Sequence, residues 1–353
     1  MTRTDSMDSK NSTMQAVAYT AYGGPEVMQL VSAPVPVPRA GEVLVRVAAG
    51  GLNPVDKLQR AGMFKAFMPF SFPAIGGNEF SGTVAGLGEG VTRFSVGDAV
   101  ICRVTKTEMR ALAEYTTMPA DICAPAPKSV PLTTAAGLPL AGLTAEQCLD
   151  HLDVQAGERL LVTGGAGGVG QFAIQLAKLR GAHVSTTASD AGRPFVLKAG
   201  ADEVINYHTT KLADLPQKFD KVLDAAGGDD ALMYDVVPSV REGGRIISVA
   251  GPPTPGCLDG LMSWWMRPAV NVLLWTKSRA LVNAAAAVGV EYKYIFMVPN
   301  GEQLAHLAAL VDQGKLAITV DSRFKMAEFK QAFERLESGR SKGKVIVEFA
   351  GDQ

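Results

Sequence analysis

Leu160-Leu161-Val162-Thr163-Gly164-Gly165-Ala166-Gly167-Gly168-Val169-Gly170 is an apolar run that breaks into glycine and opens onto Gln171-Phe172-Ala173-Ile174-Gln175-Leu176-Ala177-Lys178. It contains GxGxxG as Gly165, Gly167 and Gly170. Taken alone that pattern is weak, because a structural glycine-rich turn spells it equally well. Here an apolar strand enters it and a helix of apolar period leaves it, the setting in which it cradles a dinucleotide. On this reading Gly165 makes the tight turn, Gly167 lets a pyrophosphate reach the backbone, and Gly170 lets helix and strand pack. Gly168 and Val169 then present N–H groups at the helix N-terminus, where the helix dipole favours phosphate.

Working outward, residues 182–188, 201–207, 221–227 and 244–251 read as further strands, with helices over 193–200 and 231–244. Strands alternating with helices indicate βαβ units and a parallel sheet. Upstream, residues 14–23, 42–53, 80–88 and 97–105 are short Val-rich runs broken by Gly and Pro, with Val43, Val45 and Val47 on one face. That texture implies a compact, barrel-like β domain. Near the end, residues 302–315 and 329–339 read as amphipathic helices and 343–349 as a closing strand. The fold class is α/β: a β-barrel domain joined to a doubly wound parallel sheet.

Composition narrows the functional classes. A chain of 353 residues suits two domains. With 47% hydrophobic and 20% charged residues and a net charge of −1, it is globular and has no electrostatic footprint for nucleic acid. Cys102, Cys123, Cys148 and Cys257 are far apart in sequence, and the four histidines show no HxxxH spacing, so neither a metal knuckle nor a redox dithiol is spelled out. Residues 1–13 are polar and include two Asp, unlike a signal or transit peptide, and read as a leader on a cytoplasmic protein. Leu261–Thr276 is the most apolar stretch, too short to span a membrane and interrupted by Arg267-Pro268. It includes Trp264 and Trp265, for which core filler, an interface patch and a substrate wall are all open.

The second strand of the βαβ unit decides between the nicotinamide cofactors. An acid at its end binds the ribose hydroxyls of NAD. Here Thr186-Thr187-Ala188-Ser189 carries none, although Asp190 follows at once. Ser189, Arg193 and Tyr207 are instead placed to meet a 2′-phosphate, so NADP(H) is the favoured cofactor, with surface charge the plain alternative for Arg193.

The stretches GGPEVMQL (23–30), GLNPVD (51–56), GNEFSGTV (77–84), GLPLAGLTA (137–145), the glycine loop with its helix (164–178), GADEVINY (200–207) and GKVIVEF (343–349) together resemble one family. It is the zinc-free quinone and enone oxidoreductase branch of the medium-chain dehydrogenase/reductase superfamily, of chloroplast-envelope type. The resemblance implies a GroES-like catalytic domain over 14–139 and 299–353, a Rossmann domain over 140–298, a cleft between them, and a homodimer. Asn53 and Asn78 stand where zinc-dependent members carry Cys and His, so no metal is expected. The resemblance places Asn53 beside nicotinamide and substrate, with Thr144 and Lys344 near the cofactor. Asn53 would donate a hydrogen bond to the acceptor oxygen as hydride arrives; from the residues alone it reads as a turn-former. Asp56 and Lys57 read as surface charge, and Tyr115 as a proton donor or packing residue. The expected activity is NADPH-dependent reduction of a quinone or α,β-unsaturated carbonyl. The alternatives are a zinc-free reductase of another carbonyl or acyl thioester, and a dinucleotide-binding sensor without turnover.

Overall fold

The computed structural model describes residues 12–66, 68–105 and 109–349. Most of the expected leader therefore lies outside the described residues, and its boundary moves: Thr13 already pairs with Pro34 in the first hairpin. The first strands are β1 (Thr13–Tyr19), β2 (Met28–Pro34) and β3 (Glu42–Leu52), followed by helix α1 (Pro54–Arg60). Then come β4 (Ala74–Ile75), β5 (Glu79–Leu87), β6 (Ala99–Arg103), β7 (Tyr115–Pro119) and β8 (Cys123–Pro125). Strand β3 is the spine of this half. It pairs with β5 and β7, and Val43, Val45 and Val47 point into the core as the alternation required. Two cysteines distant in sequence meet here: Cys102 lies opposite Cys123 in the β6–β8 ladder, both as free buried thiols.

After the short α2 (Leu132–Ala135), α3 (Pro139–Leu152) leads into the second half. It begins at Pro139, because proline's missing N–H costs nothing in the first turn. The chain continues as β9 (Arg159–Thr163), α4 (Gly168–Leu179), β10 (His183–Thr187), α5 (Arg193–Lys198), β11 (Glu203–Ile205) and β12 (Phe219–Asp224). It goes on through α6 (Asp229–Ala231), β13 (Val240–Ser248), α7 (Arg267–Ala287) and β14 (Glu291–Tyr294). The six strands are all parallel, in the order β11-β10-β9-β12-β13-β14. Counted from β9 this is 3-2-1-4-5-6, the doubly wound Rossmann order. The sixth strand escaped the sequence reading. Glu291-Tyr292-Lys293-Tyr294 is four residues long and alternates apolar with charged, as an edge strand does.

The last elements are α8 (Gly301–Asp312), β15 (Val320–Lys325), α9 (Phe329–Glu337) and β16 (Lys344–Glu348). Strand β16 runs antiparallel to β3, so the chain's end completes the sheet its beginning started. One apolar core joins Leu149, Val162 and Phe172 to Ile101, Leu304 and Leu307, and so runs across the expected division at 139/140 and 298/299. That division remains our proposal.

Trp264 and Trp265 are not core filler. They are 78% and 66% exposed, just ahead of α7. Among the described residues no helix is long and apolar enough to cross a membrane.

Candidate active site

In an open parallel sheet ligands bind at the carboxyl ends of the strands, where the strand order reverses. Here that point lies between β9 and β12. Asp224 closes β12 and accepts hydrogen bonds from Thr163 Oγ1 and Ser248 Oγ, each at 2.6 Å, tying three strand ends together. Above them the chain turns through the glycine loop. The turn glycine is Gly164, with φ +66°, rather than Gly165 as expected from the motif. Gly165 serves packing instead: a Cβ there would sit 1.9 Å from Thr186 Oγ1. Gly170 does what the motif asks, since its Cβ would meet Gly165 Cα at 2.6 Å. A Cβ on Gly167 would touch only Gly164 O, at 3.3 Å. The protein leaves its other side open to the cleft.

That cleft has a volume of about 360 Å³. Gly167, Gly168, Val169 and Gly170 line one wall, Ser189 and Tyr207 the far end, and Asn53 and Lys344 the near end. Sequence reasoning missed Lys342, which also lines it; the charged loop Arg340-Ser341-Lys342-Gly343 gives no signal beyond surface charge. Three expected residues stand apart from the lining. Gly165 is turned to the sheet, and Thr144 is buried with its hydroxyl donating to Leu140 O at 2.7 Å. Arg193 is exposed at the start of α5. Asp190, the alternative ribose ligand, accepts from Asn206 Nδ2 at 2.8 Å. Tyr115 faces a separate groove beside Pro34 and Phe70.

Beneath the near end lies a buried polar knot. Lys344 Nζ donates to Glu79 Oε1 at 2.6 Å, Asn53 Oδ1 at 2.5 Å and Leu52 O at 3.1 Å, which occupies all three of its protons. Asn53 Nδ2 donates to the same Glu79 oxygen at 2.7 Å and, at a longer 3.3 Å, to Gly51 O. The other Glu79 oxygen accepts from Leu140 N at 2.6 Å. All three side chains are buried. Pro54 holds Asn53 extended, at φ −139° and ψ 155°, the restriction a following proline imposes. Glu79 was not singled out from sequence, where it reads only as the end of Gly77-Asn78-Glu79.

Behind the knot, Asp56 is fully buried, not surface charge. Its carboxylate accepts from Asn53 N and from Asn78 Nδ2, both at 2.7 Å. Burial is the largest influence on it and raises its pKa to about 6, opposed by those hydrogen bonds and by Lys344. Lys57 is exposed as expected. Asn78 Nδ2 also donates to Gln59 Oε1 at 2.6 Å. Buried Arg103 donates to Val104 O, and burial lowers its pKa to about 10.

These donors do not fit zinc. The positions at issue carry carboxamides, the nearby carboxylate of Glu79 is held by an ammonium, and zinc prefers thiolate, imidazole or free carboxylate. A dinucleotide fits better, because the glycine wall leaves backbone accessible where a side chain would block a phosphate.

Comparison with known proteins agrees with this geometry. The family described as "Alcohol dehydrogenase GroES-like domain" matches residues 39–128, and "Zinc-binding dehydrogenase" matches residues 199–347. A chloroplast envelope quinone oxidoreductase homolog of Arabidopsis thaliana is 32% identical over 95% of this chain and 98% of its own length. An NADPH-dependent alkenal/one oxidoreductase of the same plant is 33% identical over 95% of this chain and 79% of its own. The solved quinone oxidoreductase of Coxiella burnetii superposes with a TM-score of 0.83 at 32% identity, covering 96% of this chain and 99% of that one. The chain belongs to the quinone oxidoreductase branch of the medium-chain dehydrogenase/reductase superfamily.

Proposed function

We propose that the protein is an NADPH-dependent reductase of quinones or α,β-unsaturated carbonyls that works without a metal. The observation that carries this reading is the single cleft with a bare glycine wall on one side and the Lys344–Asn53–Glu79 knot at its near end. A bound nicotinamide supplies the hydride. Gly168 and Val169 hold pyrophosphate by the backbone N–H groups of the first turn of α4, and the bare Gly167, whose own N–H donates to Gly164 O, lets it approach. Ser189 and Tyr207 lie where a 2′-phosphate would fall, and Arg193, exposed at the start of α5, is the cation that would turn to it. Thr144 is buried within α3, whose Ala141 lines the cleft. The plant relative's name, which specifies NADPH and alkenals or enones, supports the choice of cofactor and acceptor.

The knot fixes the near end. Hydride addition pushes negative charge onto the acceptor oxygen, and a preorganised donor lowers the barrier where that charge grows. Asn53 has one firm and one long amide bond, and the 3.3 Å bond to Gly51 O is the one that turns to a substrate oxygen. The Lys344 ammonium, hydrogen-bonded directly to Asn53 Oδ1, adds positive potential behind the donating amide.

The homodimer belongs to this proposal as well, since β14 is an edge strand that, among the described residues, pairs with β13 alone. So does a cytoplasmic setting, in keeping with the buried thiols of Cys102, Cys123 and Cys148. The test is steady NADPH oxidation against a panel of quinones and enones after exhaustive chelation. Turnover that survives chelation supports the reading. Tight NADPH binding with no turnover on any acceptor would mean a sensor, and turnover restored only by zinc would overturn metal independence.

A further inference from the structure

Helix α7 is unusual in how little of it the fold uses. Of its 21 residues only Leu274, Ser278, Leu281 and Ala285 are buried, one narrow stripe. At 3.6 residues per turn the opposite side presents Ala269, Val272, Thr276, Ala280, Asn283 and Ala287, with Leu273 at its margin, all exposed. Lys277 borders that strip on one side and Arg279 on the other. All three tryptophans of the chain are exposed in or just ahead of this helix: Trp264 by 78% and Trp265 by 66% before its first turn, and Trp275 by 52%, about a quarter turn from the strip and beside Arg279. From Gly260 to Val290 there is no Asp or Glu, while Arg267, Lys277 and Arg279 are all exposed. Among the described residues none of the three cations is in an ion pair; Arg279 lies over the Trp275 ring at 5.3 Å.

We propose that this surface adsorbs to an anionic lipid bilayer, with the exposed tryptophans at headgroup depth and Lys277 and Arg279, which flank the strip, against lipid phosphates. An exposed apolar strip bordered by cations and fronted by tryptophan is the pattern of a helix that lies in a membrane interface, not across it. Charge selects this occupant. A second copy in the same seat would set Lys277 and Arg279 against their own counterparts with no acid to meet them, whereas an anionic leaflet answers both. The inference stands on the surface alone and does not depend on which acceptor the cleft reduces.

Because no tryptophan lies elsewhere in the chain, intrinsic tryptophan emission reports this surface directly. The protein is titrated with vesicles of phosphatidylcholine, and with vesicles of phosphatidylcholine mixed with phosphatidylglycerol, while co-sedimentation and emission are followed. The mixed vesicles are expected to pull the protein down and shift its emission to the blue, with salt reversing both. The Lys277→Glu/Arg279→Glu variant is expected to bind them at least about tenfold more weakly. That variant keeps NADPH oxidation with a water-soluble acceptor, because neither residue lines the cleft. No shift and no sedimentation on mixed vesicles overturns the proposal, and so does undiminished binding by the charge-reversed variant. Emission that is already blue without lipid and moves red on dilution also overturns it, and assigns the surface to a second copy.

Discussion

The two walls of the cleft are built by opposite means. The glycine loop works through space: Gly165 and Gly170 press helix on strand, and Gly167 leaves a gap on purpose. The knot at the near end works through charge: Glu79, Lys344 and Asn53 saturate one another in a place that water does not reach. The difference teaches where each wall is fragile. A wall made of space fails when an atom is added, and a wall made of charge fails when a partner is removed. It also explains how one strand serves both. Gly343 forms a bridge to Gly167, and the next residue, Lys344, anchors the knot, so β16 stitches the glycine loop to the GroES-like sheet.

The largest expected effect comes from breaking the charged wall. Lys344→Met removes the cation and leaves the Glu79 carboxylate buried without its counter-ion. A loss of about 3–5 kcal/mol in urea unfolding is expected. The double variant Glu79→Gln/Lys344→Met should recover much of that loss, because no lone charge remains. If the single variant unfolds like wild type, the pair is not the structural tie described here.

The two glycines then separate packing from binding within the other wall. Gly170→Ala places a Cβ 2.5 Å from Gly164 O, which must shift, and should lower stability by about 1–3 kcal/mol. Gly167→Val meets little of the protein and should keep the melting temperature near that of wild type. It should still lose cofactor affinity, read by NADPH fluorescence titration, because the side chain stands where pyrophosphate approaches. Equal effects of the two on stability would erase the distinction between them.

Asp56 sharpens the comparison through pH. Its folded pKa, about 6, lies above the ordinary 3.8, so the fold favours the protonated form. The stability this contributes is fully present below about pH 3.8 and is lost as the pH rises through about 6. Denaturation of wild type and Asp56→Asn across that window should show a difference that changes by roughly 2–3 kcal/mol. A difference independent of pH would mean that Asp56 titrates normally.

The space-built wall was legible in the sequence and the charge-built wall largely was not. Gly165, Gly167 and Gly170 stand within one short motif whose flanking strand and helix declare themselves by apolar period. Even there the motif misassigned the turn, because a positive φ at Gly164 is a property of the backbone path and not of the spacing. The knot gathers Asn53, Glu79 and Lys344 from three distant segments. Nothing local tells a buried Glu from an exposed one, so Asp56 read as surface charge and Glu79 went unnoticed. Asn53 and Lys344 were reached only through the family resemblance. Strand β14 was missed because four residues carry too short a period, and the exposure of Trp264 and Trp265 was hidden because an apolar run does not say which side of it is covered.

The smallest expected effect tests the residue where the two walls meet. Asn53 touches the cleft on one side and accepts from Lys344 on the other. Asn53→Ala should lower kcat by about tenfold or more, at or below the range for loss of a donor to a developing oxyanion, with NADPH affinity nearly unchanged. Asn53→Asp should be worse. It sets a second carboxylate beside Glu79, competes for the one ammonium, and repels the charge that grows on the acceptor. Deuterated NADPH keeps the reading honest: an isotope effect on kcat that grows in Asn53→Ala places the loss in the hydride step. A variant that loses melting temperature but keeps kcat would make Asn53 a spacer that holds Lys344 in place, and the oxyanion role would pass to another group.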